Sequence, residues 1–329
     1  MREPLENDAS SGDSRNYYST PHRCRAAHGL SRQSRTSTRP FDASLRATIT
    51  PMQAFPGPEH QPFETGDGPA TAVLVHGFPG TPAEVRPMAA ALAATGWRVR
   101  APLLPGFGHD WGTLGERRWT EWRQVVAGEA TRAASNGDPV LLLGFSMGAA
   151  LALTAIADER APADALVLVA PFTGFSDPRA ALLPLVKRAV RTFRPYERTD
   201  FDDPHARVEI EAKVGSVDLD DPGVRERLRT EVRIPTAAVD ELRQAGNRAR
   251  RIAPSLAPRP TLVVQGERDT TVTPASTVAL VRRLAYPPLR LFLPEADHRL
   301  VFPDQPGHME LLRALQRFGH GLLGRLDAS

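Results

Sequence analysis

The stretch "LLLGFSMGAALAL", residues 141–153, decides how this chain is read. An apolar run of strand length stops at Gly144-Phe145-Ser146-Met147-Gly148, and an alanine-rich run of helical length begins at once. Alone, a G-x-S-x-G pentapeptide arises by chance and is compatible with a glycine-rich packing turn. Between a buried strand and a helix it reads as a tight turn that lifts the serine to its crest. Gly144 and Gly148 then let strand and helix approach where a Cβ would clash, and the Met147 N–H opens the helix. Ser146 is a candidate nucleophile. A serine in that role needs a histidine to take its proton, a carboxylate to orient the histidine, and two N–H donors for an oxyanion.

Outward from this turn, "TAVLV" (71–75), "WRVRAPLLPG" (97–106), "PVLLLGF" (139–145), "ALVLVA" (165–170), "TLVVQG" (261–266) and "LRLFLPE" (289–295) read as strands. Helical spacing occupies 82–96, 117–134, 147–159 and about 275–285 and 306–325. Short apolar strands alternating with helices predict an α/β fold, a mostly parallel central sheet flanked by helices. Functional residues are then expected on loops at the carboxyl ends of the strands. Residues 172–255 interrupt the alternation with charged helical stretches, which predicts a helical cap inserted after the fourth recognisable strand. The organisation expected is a core in two parts, 52–171 and 256–329, around a cap at 172–255, preceded by a disordered basic extension at 1–51. That extension could be a targeting segment, a tail for an acidic partner or an upstream addition without function. The last is preferred, with Met52 as an alternative start.

The 329 residues are 41% hydrophobic and 24% charged, ordinary values for a globular chain. With no run of 18 apolar residues and no apolar leader, neither membrane insertion nor secretion is expected, and the expected location is cytoplasmic. A single cysteine, Cys24, allows no internal disulfide. Eight arginines against five acids in residues 1–51 carry the whole formal charge of +3. The neutral remainder has no field to hold a nucleic acid. No metal is expected, since no Cys/His ligand set or H-E-x-x-H occurs. "GFGHDWG" (106–112) places its third glycine one residue late for a dinucleotide loop, and no phosphate-loop motif is present, so no cofactor is expected.

The remaining parts are sought at the other strand ends. "HGFPG" (76–80) follows the first apolar strand, and Phe78 is assigned the second oxyanion N–H; His76 is read as bonding to its own loop rather than as a base. Asp269, in "VVQGERDTTVTP", lies three residues past the fifth strand and is the candidate carboxylate, with Asp177 as a fallback. Of nine histidines, His298 in "LFLPEADHRL" directly follows the last strand and is the candidate base; His308 and His320 are read as solvated or packing. Ser146, Asp269 and His298 thus stand in nucleophile–acid–histidine order.

With "LVHGFPGTPAEVRPMAAAL", "LLPGFGHD", "LLLGFSMGAALAL", "LVVQGERDTTVTP" and "EADH" in place, residues 60–325 resemble the α/β-hydrolase superfamily, most of all small bacterial carboxylesterases and monoacylglycerol lipases with a compact helical cap. The resemblance implies Ser146, Asp269 and His298 as a catalytic triad and Phe78 and Met147 as backbone oxyanion donors. It implies a cofactor-free serine hydrolase of small-molecule carboxylic esters, of short- to medium-chain acyl esters or monoacylglycerols. Phe78, Met147 and the cap's Leu182, Leu183, Leu185 and Val186 are expected to line an apolar acyl pocket. "HGFPG" departs from the "HGGPG" of prolyl aminopeptidases, which lowers a peptidase reading, and a serine nucleophile disfavours dehalogenase and epoxide-hydrolase chemistry. A C–C bond hydrolase or cofactor-free haloperoxidase on the same triad, and a non-catalytic ligand-binding homologue, are the alternatives.

Overall fold

The computed structural model describes residue 55 and residues 57–326 apart from 215 and 216. The chain divides into two units, residues 1–49 and 50–329. The expectation for the 1–51 extension lies outside the described residues. In chain order the strands are β1 (Phe63–Thr65), β2 (Ala70–Val75), β3 (Trp97–Ala101), β4 (Val140–Phe145), β5 (Ala165–Val169), β6 (Thr192–Phe193), β7 (Ile234–Pro235), β8 (Thr261–Gly266) and β9 (Leu289–Leu293). The α-helices are α1 (Arg86–Ala93), α2 (Trp119–Ala133), α3 (Met147–Asp158), α4 (Leu183–Ala189), α5 (Pro204–Val214), α6 (Pro222–Glu231), α7 (Thr236–Ile252), α8 (Pro274–Val281) and α9 (His308–Leu326).

Seven strands form one sheet in the order β1-β3-β2-β4-β5-β8-β9. All neighbours run parallel except β1, which pairs antiparallel with β3. Both faces are covered, as the unbroken apolar strands require. Successive residues of β4 divide between the faces. Leu142 packs with α2 and α3 through Trp122, Val126, Leu151 and Leu153. Leu141 and Leu143 pack with α1 and α9 through Met88, Leu92, Leu311 and Leu315. Each of the six expected strands is present. β1 is an addition: three residues with one half-buried side chain leave no apolar run to detect.

The insertion leaves the sheet after β5 and returns at β8, and these two strands are hydrogen-bonded neighbours. Its first part holds α4, α5, α6 and the antiparallel β6–β7 ribbon. Tyr196, Phe201, Ile210, Leu219 and Leu228 give it a small core of its own. α7 falls inside the span expected for the cap but belongs elsewhere. Its Ala238, Leu242, Ala245, Ala249 and Ile252 form one helical stripe buried in the main core with α3. The stripe is mostly alanine and is interleaved with arginines, so its low hydropathy conceals it.

His76, the residue after β2, is fully buried. Its Nδ1–H donates to the Gly77 carbonyl at 2.9 Å, and its Nε2 accepts the Leu104 N–H at 3.3 Å. It ties the loop after β2 to the loop after β3. Burial pushes its pKa down to about 4, against the weaker upward effect of the Gly77 bond.

Two outcomes follow from these contacts. A Cβ on Gly148 would lie 2.2 Å from the Val75 carbonyl oxygen, a backbone atom at the centre of the sheet. Gly148→Ala should therefore lower the urea-unfolding free energy by about 2 kcal/mol or more. His76 ionises more readily unfolded than folded, so between its ordinary value of 6.5 and about 4 the unfolded chain binds the extra proton. Its contribution to stability is complete above pH 6.5 and falls by about 3 kcal/mol as the pH drops to 4. His76→Gln, which retains a donor and an acceptor, should flatten that part of the stability–pH curve in unfolding titrations.

Candidate active site

Ser146 joins β4 to α3 with φ 52° and ψ −113°, a backbone conformation that L-residues rarely adopt. Its own backbone bonds hold it there. The Ser146 N–H donates to Val169 O at 2.9 Å, and its carbonyl accepts from Ala149 N and Phe172 N, each at 3.1 Å. The strain, about 1–3 kcal/mol for such a residue, fixes the direction of the side chain. Close packing permits the turn: a Cβ on Gly144 would stand 2.3 Å from the backbone of Gly148 and Ala149.

The structure brings Ser146, His298 and Asp269 together from three strand ends. His298 Nε2 lies 3.1 Å from Ser146 Oγ, and His298 Nδ1 lies 2.8 Å from Asp269 Oδ2. The carboxylate accepts, so Nδ1 carries the proton and Nε2 faces the serine hydroxyl as an acceptor. The ring packs beside Phe145, with centroids 5.2 Å apart. The Asp269 side chain is wholly buried. Its Oδ1 accepts from Thr271 N at 2.8 Å and Val272 N at 2.7 Å, and its Oδ2 also accepts from Gln265 Nε2 at 3.2 Å. Four donors offset the loss of water around this carboxylate.

Met147 is the first residue of α3, and Phe78 lies in the loop after β2. Among the described residues neither backbone N–H donates to a protein acceptor. The Phe78 loop is braced from behind. The Gly77 N–H donates to Glu84 Oε2 at 2.9 Å, and the Gly80 N–H to the Gly77 carbonyl at 3.1 Å.

Other candidates stand elsewhere. Asp177 is bound twice over by Arg179 and accepts its N–H, an arrangement that caps a local turn and holds the carboxyl below the usual range. His308 is buried, with Nδ1 donating to Leu300 O at 3.2 Å. The side chain of Met147 lies in the main core. Phe78 is half-buried and meets Phe107 edge-on at 5.8 Å. The residues of the insertion expected to line an acyl pocket stand at its surface. Leu182, Leu185 and Val186 are 53%, 62% and 39% exposed, and Leu183 is half-buried.

Two supporting residues escaped the sequence reading, Glu84 and Gln265. Gln265 is wholly buried. Its Nε2 donates to Gly266 O and Val272 O as well as to Asp269, and its Oε1 accepts from Thr277 Oγ1. Its signal was present: an amide inside the otherwise apolar "TLVVQG" must find partners.

Among the described residues no group of three His, Cys, Asp or Glu side chains could hold a metal ion, and no helix is long and apolar enough to cross a membrane. The family described as serine aminopeptidase, S33, matches residues 67–303. A thermostable monoacylglycerol lipase of Bacillus sp. (strain H-257) is 33% identical over 93 residues, 28% of this chain and 37% of that lipase. The alignment therefore spans little more than a third of that relative. A structure reported for LipS and LipT, two metagenome-derived lipolytic enzymes, superposes with a TM-score of 0.64 at 18% identity, covering 80% of this chain and 98% of that one. A monoacylglycerol lipase from Paleococcus ferrophilus superposes with a TM-score of 0.60 at 17% identity, covering 79% and 98%. At these identities the structural likeness is one of fold. With the family match running from before β2 to beyond His298, the chain belongs to the serine aminopeptidase S33 family and has the α/β-hydrolase fold.

Proposed function

We propose that this chain is a serine hydrolase of carboxylic esters, acting on short- to medium-chain acyl esters or monoacylglycerols. The observation that carries the reading is the hydrogen-bonded line from Asp269 through His298 to Ser146, with the serine held on a strained turn. The partial likeness to a monoacylglycerol lipase supports the choice of an ester over a peptide.

The chemistry follows from the geometry. Ser146 Oγ attacks the ester carbonyl as His298 Nε2 takes its proton. The resulting imidazolium is stabilised by Asp269, whose other oxygen is anchored by the Thr271 and Val272 amides. Negative charge on the carbonyl oxygen is received by the Met147 and Phe78 N–H groups, the first reinforced by the N-terminus of α3. His298 returns the proton to the leaving alcohol. Water, activated in turn by His298, then releases the acid from the acyl-enzyme.

Ser146→Ala should reduce p-nitrophenyl butyrate hydrolysis at least about 10⁴-fold and abolish labelling by a fluorophosphonate probe, with an unchanged circular-dichroism melt. Asp269→Asn should cost about 10³–10⁴-fold in kcat through the wrong tautomer of His298. Undiminished turnover in Ser146→Ala removes the reading. So does faster wild-type turnover of an aminoacyl p-nitroanilide than of any ester in a panel of increasing acyl length.

A further inference from the structure

The exposed apolar side chains of the described residues are concentrated in one place. Of nine large ones, seven lie between residues 175 and 208, on the cap. Leu182, Leu185, Val186 and Val190 fall at i, i+3, i+4 and i+8, along α4 and its two flanking residues. This is the apolar stripe that a surface helix ordinarily turns inward. Here the stripe faces out, and a polar contact sets that orientation. Lys187, on another face of α4, bonds Asp240 of α7 at 2.5 Å, and Asp240 is buried and also held by Arg243. Rotating α4 to hide its leucines would break this buried ion pair.

The patch is also basic. Between residues 175 and 194 there are five basic residues and one acid, Asp177, which Arg179 occupies. Arg188, Arg191 and Arg194 are exposed and have no carboxylate partner among the described residues. Beside the stripe, Phe175, Leu183, Val186 and Val239 line an open groove of about 290 Å³. A chain of two contacts links Phe175 to the backbone of the candidate nucleophile. Phe175 stacks edge-on against Phe172 at 5.1 Å, and the Phe172 N–H donates to the Ser146 carbonyl.

An outward apolar stripe flanked by arginines has the composition of a helix that lies in a lipid–water interface. We propose that this face of the cap docks on an anionic lipid layer, with Leu182, Leu185, Val186 and Val190 entering the acyl boundary and Arg188, Arg191 and Arg194 meeting the headgroups. Charge decides against the two other occupants. A second copy docked through the same patch would set these arginines against their symmetry mates. The N-terminal segment carries an excess of arginine itself. Lipid rather than an acidic protein is the occupant on the strength of the ester-hydrolase reading, on which this choice rests.

The test uses the full chain as Ser146→Ala, so that binding is read without turnover. It is pelleted with vesicles of phosphatidylcholine alone or with about 30% phosphatidylglycerol. The anionic vesicles should bind at least about tenfold more tightly, and less so as salt is raised. The double variant Leu185→Asp/Val186→Asp should lose at least about tenfold, and Arg188→Glu/Arg191→Glu/Arg194→Glu should fall to the level of the neutral vesicles. All five side chains are absent from the main core, and unchanged melts keep the comparison valid. The proposal is overturned if the parent ignores anionic vesicles, or if both variants bind as the parent does, which would assign binding to the N-terminal arginines. A dimer in sedimentation velocity that Leu185→Asp/Val186→Asp dissociates, without vesicle binding, also overturns it. Ester hydrolysis by the unmodified chain is measured separately. Docking without hydrolysis sinks the ester reading and keeps the surface, whereas hydrolysis without docking does the reverse.

Discussion

The site depends on how closely α3 can approach the sheet. Gly148 lies against the Val75 carbonyl with no room for a methyl group, and Gly144 lies equally close to the start of α3. Only at that distance can the chain reverse within one residue, and that residue, Ser146, carries the unfavourable φ. Its cost of about 1–3 kcal/mol is sustained by the backbone bonds to Val169, Ala149 and Phe172 and by a core in which α3 is buried almost from end to end. A less tightly packed sheet would let the turn relax, and the hydroxyl would lose its line to His298.

The same economy governs the polar groups around the turn. Three polar side chains near it place backbone. His76 links two loops while remaining neutral, Glu84 fixes the Gly77 amide, and Gln265 spans Gly266, Val272 and Asp269. The histidine–carboxylate pair is therefore embedded in a network whose other members are held by main chain. Motion at this end of the sheet has to break several hydrogen bonds together, which favours a pre-organised constellation over one assembled by substrate.

Much of this was legible because parallel strands buried on both faces must be apolar throughout, and helices between them must show a 3.6-residue stripe. "PVLLLGFSMGAALAL" satisfies both rules, and strand ends then limit where Asp269 and His298 can stand. The rules fail where burial is partial. β1 has one half-buried residue in three, and α7 hides an alanine stripe among arginines. The leucines of α4 are a related case. Apolar residues at helical spacing identify an apolar face, but spacing alone does not say whether the face meets protein or solvent. The Lys187–Asp240 contact that turns it outward joins residues 53 positions apart in the chain. Glu84 and Gln265 were missed because a lone polar residue in an apolar setting announces a need for partners without naming them.

The insertion begins after β5 and ends before β8, strands that lie side by side in the finished sheet. α7 already forms the crossover that a parallel pair requires, so residues 172–235 amount to a detour within an otherwise complete β–α–β unit. Removing, lengthening or replacing the part of the detour beyond Phe172 changes no pairing in the seven-stranded sheet and no member of the Ser146–His298–Asp269 line. Divergence can therefore proceed on two clocks. The part that holds Ser146, His298 and Asp269 is constrained by main-chain distances of a few ångströms, while the inserted part is free to drift, be exchanged or be redesigned.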